Sequence, residues 1–154
     1  MGKIIHFLLV SILVSGMLVQ AGELTFDQIH DSVKNCIPSG FTFNKGQSWD
    51  NRFMYKVTYQ GDESKAEELV FSLLPQAKGF SEMDLLGDKE EFKVDGRSAL
   101  FGDGSKTGFS TLYIILKNDS GKFQVSHRLL GGIPMDKTAF MEMLSKIDLS
   151  KLEN

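Results

Sequence analysis

The sequence predicts an α+β domain, an antiparallel β-sheet with flanking N- and C-terminal helices. Three observations carry that expectation. A helix-start signature at Thr25 opens an apolar stripe at helical spacing, segments of apolar–polar alternation recur between residues 52 and 130, and a second helical stripe follows Pro134. Spacing of three to four marks one face of a helix, and spacing of two marks one face of a strand. An antiparallel sheet with helices packed on a face is a common way to bury such stripes.

Residues 1–21 read as a secretory signal peptide. Lys3 supplies the charged start, the run from Phe7 to Val19 the apolar core, and Val19-Gln20-Ala21 the small residues a signal peptidase recognises. A membrane-spanning helix needs about 20 predominantly apolar residues, which is longer than this run. Cleavage would leave 22–154 as a single domain, periplasmic or secreted and in contact with a membrane only during export. Cys36 is the single cysteine, so no internal disulfide can form. A small exported domain without disulfides fits a bacterial envelope better than an animal secretory pathway. The formal net charge of −3 argues against nonspecific binding to nucleic acid or anionic membranes. The expected partner is an envelope protein, a peptide or a small ligand.

The mature chain opens on its best-signalled helix. Thr25 and Gln28 fit a capping box, Phe26, Ile29, Val33 and Cys36/Ile37 make the buried stripe, and Pro38-Ser39-Gly40 ends it. Strands are expected at 41–43 and 52–60, the second with Phe53, Tyr55, Val57 and Tyr59 on one face. Residues 66–74 fit either an amphipathic helix or a strand. Pro75 would cut a helix short, so a strand hairpinned to 52–60 is the expectation. Asp95-Gly96 between 90–94 and 97–101 is a two-residue hairpin signal. It predicts positive φ at both residues, with Phe92 opposite Ala99 and Val94 opposite Arg97. A further hairpin pairs 108–117 with 122–130. The last helix should span 134–147, burying Ala139, Phe140, Met143, Leu144 and Ile147.

The order of Ile37-Pro38-Ser39-Gly40-Phe41, Tyr55–Tyr59, Glu68–Leu74, Phe92–Ala99 and Ile147–Glu153 resembles small exported bacterial proteins with a PsbP-like sandwich. In those, a Val-x-Gly-x-x-Ala hairpin and an Ile-Asp-Leu-x-x-Leu tail recur. The resemblance implies a sheet with flanking helices and implies no activity. This chain departs from it in the short link 76–89.

Candidate chemistry is sparse. Gly102–Gly108 is rich in glycine but precedes a strand. A phosphate loop would need a helix N-terminus there, so a flexible connection is expected, in which Gly104 would tolerate substitution better than Gly96. His127 shares a face with Phe123, Val125 and Leu129. Such a residue is more often a satisfied core histidine, and its functional alternative is a pocket base or ligand. Ser126 points to the opposite face and cannot pair with His127 as a nucleophile. His30 and Cys36 are poorly spaced for a shared metal, and Met135, Met141 and Met143 do not converge. Asp84, Asp88, Glu90, Glu91 and Asp95 form an acidic stretch that fits solvated turns and strand edges. On the polar face of the last hairpin, Tyr113, Gln124, Ser126 and Arg128 suggest a contact surface. The expected ligand-binding residues are therefore Tyr113, Arg128 and His127, with no catalytic residue, metal ligand or cofactor. The reading is an exported non-catalytic binding or accessory module, and the alternative is a small periplasmic hydrolase or metal-handling protein.

Overall fold

In the computed structural model, residues 24–49, 51–58, 66–75, 77–80, 87–117 and 120–153 are described. The expected signal peptide, Tyr59 and Asp84 lie outside them. Helix α1, Phe26–Val33, begins at the capping box: the Gln28 amide donates to Thr25 Oγ1 and the Thr25 amide to Gln28 Oε1. It tightens into a 3₁₀ turn at Lys34–Cys36, ahead of Pro38.

Seven strands follow: β1 Thr42–Phe43, β2 Arg52–Thr58, β3 Ala66–Leu74, β4 Asp88–Val94, β5 Arg97–Asp103, β6 Phe109–Ile115 and β7 Lys122–Leu129. They form one sheet in the order β1-β2-β3-β7-β6-β5-β4, with every neighbouring pair antiparallel. Two meanders, β1–β3 and β4–β7, are thus joined where β3 lies against β7. The stretch 66–74 is a strand despite its helical spacing. Pairing along both edges puts it inside the sheet, where apolar side chains are accepted on both faces.

The hairpin between β4 and β5 has the expected register. Asp95 and Gly96 have φ of 49° and 77°, Phe92 pairs with Ala99, and Val94 with Arg97.

Helix α2, Lys137–Leu144, is shorter than the expected 134–147. Its N-cap is Asp136, whose carboxylate accepts the Ala139 amide, and Pro134 lies before that cap. Phe140, Met143, Leu144 and Ile147 are buried as expected, whereas Ala139 is only half-buried. A 3₁₀ turn at Leu149–Leu152 adds two more core residues.

Both helices cover the same sheet face. There Ile29, Val33, Cys36, Phe140 and Leu152 pack with Phe53, Leu69, Phe71, Phe101, Leu112, Ile114, Phe123 and Val125. Each such side chain contributes about 1.5–3 kcal/mol on full burial. The second face carries a small cluster, Leu100 and Tyr113, against which Leu74 and Phe80 pack. Phe80, on the link from β3 to β4, therefore lies over that second face. Among the described residues no helix is long and apolar enough to cross a membrane.

Candidate functional site

The alternation of β7 sends His127 to the helix face and Arg128 to the second face, and the paired strands determine what each meets. His127 lies opposite Leu69 of β3 and Ser110 of β6. Only 2 % of it is exposed. Its Nδ1 accepts the Met135 amide at 3.0 Å, and its Nε2 lies 2.6 Å from Glu67 Oε1. A backbone N–H can only donate, so Nδ1 carries a lone pair and Nε2 carries the proton. The imidazole in this arrangement is therefore the Nε2–H tautomer, donating to the Glu67 carboxyl. Both ring nitrogens are committed. Ser110 faces the same side, but its hydroxyl oxygen accepts the Gly104 amide at 3.0 Å. Ser126 is on the other face, bonded to Thr111 at 3.2 Å and to Gln124 at 2.9 Å.

Arg128 and Tyr113 occupy the same face without meeting. Arg128 pairs with Phe109 and Tyr113 with Gln124, four positions apart along the hairpin. At about 3.3 Å per residue that is roughly 13 Å. Tyr113 is buried, with Lys122 Nζ 4.9 Å from its ring centre. Arg128 is about half exposed and lies 3.8 Å from Glu68. The three candidate residues therefore belong to three environments: a buried pair, a buried ring and an exposed guanidinium.

Around Arg128 the surface is concave. A cleft of about 290 Å³ separates Ser105–Gly108 from Arg128–Gly132, and Phe109, 36 % exposed, adjoins it. The 102–108 connection expected to be flexible is instead a compact turn. The Thr107 and Gly108 amides both donate to the Gly104 carbonyl at 2.8 Å. Gly104 itself is buried, and a Cβ there would stand 1.8 Å from the Phe109 carbonyl oxygen. Backbone packed against backbone excludes any side chain at this position. The turn leads into β6 and not into a helix, so it lacks the amide-bearing helix end of a phosphate loop.

Three larger hollows are shallow grooves. One of about 480 Å³, between α1 and the C-terminal tail, includes Asp31 and Glu153, which are engaged by Lys34 and Arg97. One of about 440 Å³ is lined by Leu24, Phe26 and Leu73 together with Thr25 and Asn51. One of about 470 Å³ flanks β1.

The remaining sequence candidates have structural roles. Burial pushes the Cys36 thiol up to about 12, and its sulfur donates to the Val33 carbonyl. His30 Nε2 lies 2.6 Å from the Tyr55 hydroxyl, with its ring stacked on Phe53. Asp88, Glu90 and Glu91 line exposed positions of the edge strand β4, where charge discourages pairing with another chain. Among the described residues no group of three His, Cys, Asp or Glu could hold a metal.

One pair has no sequence signal. Arg97 grips Glu153 through two hydrogen bonds of 2.6 and 2.8 Å, and Glu153 also accepts the Lys117 amide at 2.7 Å. Both side chains are more than nine-tenths buried. The guanidinium and the amide hold the Glu153 carboxyl below its usual range. The chain was compared with protein-family models, with curated proteins and with solved structures, and it matches none of them.

Proposed function

We propose that the chain is exported, loses residues 1–21, and acts as a non-catalytic binding or accessory module of the bacterial envelope. Its contact surface is the Arg128 end of the sheet. The observation that carries this reading is how the fold uses its reactive groups. His127 has both nitrogens bonded, the Ser110 oxygen accepts a backbone amide, and Cys36 is buried. A nucleophile needs a base within hydrogen-bond reach, and His127 has no nitrogen left to serve as one. By contrast Arg128 and Phe109 sit exposed beside a cleft, and arginine and aromatic side chains are enriched at contact surfaces. The Arg128–Glu68 contact is long, at 3.8 Å, and the guanidinium is about half exposed, so Arg128 is within reach of a ligand in the cleft.

The PsbP-like sandwich is the finer fold reading. The helix–sheet–helix order supports it, as does the contact between its two motif segments, the hairpin at Arg97 and the tail at Glu153.

Intact-mass analysis of the envelope fraction tests export, with a species shortened by the signal peptide expected and a full-length membrane-fixed species opposing it. For binding, the ¹⁵N-labelled protein is titrated with panels of peptides, sugars and anions. Shift changes should gather at 105–109 and 128–132 and vanish in Arg128→Glu. Turnover of any panel member, or changes confined to the Tyr113 end, would overturn the reading.

A further inference from the structure

We propose that His127 is a proton-operated latch on the segment 130–136, holding it when neutral and releasing it when protonated. The hydrogen bonds leave one protonation state for the latched form, with Nε2–H donating to Glu67 and Nδ1 accepting from Met135. A proton added at Nδ1 converts the Glu67 contact into an ion pair. The same proton makes the Met135 amide face another donor at 3.0 Å, a contact that no rotation of a backbone N–H can repair. Protonation thus tightens the ring onto β3 while rejecting the segment.

The surroundings make this a choice between two arrangements. From β3 the ring faces Glu67 and Leu69, from β6 it faces Ser110, and from the segment the Met135 amide. Val125 and Leu129 flank it on its own strand, while Arg128 lies on the opposite face. Glu67 is the ionisable group on the ring, and the Ser110 oxygen already accepts Gly104. The segment is held differently at its start, where the Leu130 amide donates to Ala66. Beyond it, Pro134 has no N–H to offer and Ile133 is three-quarters exposed, so apart from the burial of Pro134 and the packing of Met135 on the core the His127 bond is what fixes the Met135 backbone. Because Leu130–Gly132 also form one wall of the Arg128 cleft, release would loosen that wall. The latch itself needs no ligand and stands apart from the binding proposal.

The test is an NMR titration of the purified protein from pH 8 to pH 5, following the His127 ring and amide hydrogen exchange corrected for its intrinsic pH dependence. Protection of Met135 should fall at least tenfold with the midpoint of the His127 ring, while Leu130 keeps its protection. In His127→Asn, whose carbonyl oxygen can accept from Met135 but does not titrate, Met135 protection should stay level. Loss at Met135 and Leu130 together, loss at neither while the ring titrates, or no ring titration in the folded protein would each overturn the latch. The wild-type measurement decides the matter even if the variant does not fold.

Discussion

Replacing Gly104 with alanine should unsettle the fold more than the same change at Gly96, the reverse of what the sequence suggests. At Gly96 an added Cβ meets nothing within 4 Å, and the cost is the positive φ of 77° alone. A left-handed conformation costs a non-glycine residue about 1–2 kcal/mol. At Gly104 the Cβ would stand 1.8 Å from the Phe109 oxygen, 2.0 Å from its carbon and 2.6 Å from the Ser110 nitrogen. None of these is a side-chain end that can swing aside, so the turn must open. Three hydrogen bonds converge on Gly104: the Thr107 and Gly108 amides to its carbonyl, and its own amide to Ser110 Oγ. At about 1 kcal/mol each their loss costs about 3 kcal/mol. For a domain of this size that lowers Tm by about 10–15 °C, against about 3–10 °C for Gly96→Ala. Thermal melts with circular dichroism compare the two. If Gly104→Ala melts at or above Gly96→Ala, the close backbone approach of the turn is wrong.

The Arg97–Glu153 clamp should show the asymmetry of buried ion pairs. Arg97→Ala or Glu153→Gln alone costs about 3–5 kcal/mol by stranding the partner, while Arg97→Met combined with Glu153→Leu costs far less; urea unfolding of all three variants checks this. Because the folded Glu153 carboxyl is depressed from 4.5, its contribution is present above about that pH and is lost as pH falls through the lower folded value. Glu153→Gln should therefore flatten the acid limb of the stability profile. Cys36, raised from 9.0 to about 12, contributes stability that is complete below pH 9 and is lost as pH rises from there toward 12. The alkaline fall should shrink in Cys36→Ala. The native thiol should also resist a thiol reagent that labels it at once in denaturant.

Local signals made much of this architecture legible. The Thr25 capping box and the Asp95-Gly96 turn are written within four residues each, and alternation assigned Phe123, Val125 and His127 to the core face. Ambiguity began where the deciding interaction is remote. Residues 66–74 are a strand because β2 and β7 flank them, and Glu67 occupies a core-facing position because His127, sixty residues away, receives it. Arg97 and Glu153 look ordinary in sequence, since nothing local marks two charges that bury each other across the fold. Tyr113 and Arg128 share a face, as alternation requires, but alternation carries no information on position along a strand. The register keeps them apart. Gly104 misleads for a related reason: glycine in a polar run reads as freedom, whereas here it is the absence of a side chain that lets two backbones touch.

The seam between β3 and β7 also dictates an order of assembly. The hairpins within β4–β7 close short loops, whereas Leu74–Lys122 and Glu67–Leu129 bring together residues roughly 50–60 positions apart. Closing such a loop costs about 2 kcal/mol more entropy than closing a four-residue turn. Each meander can therefore form locally before the seam closes, and β7 then offers its edge as a template. Until the seam closes, that edge presents unpaired amides and carbonyls to which another chain's β3 can add. The slow step of folding and the hazard of intermolecular strand exchange then share one location.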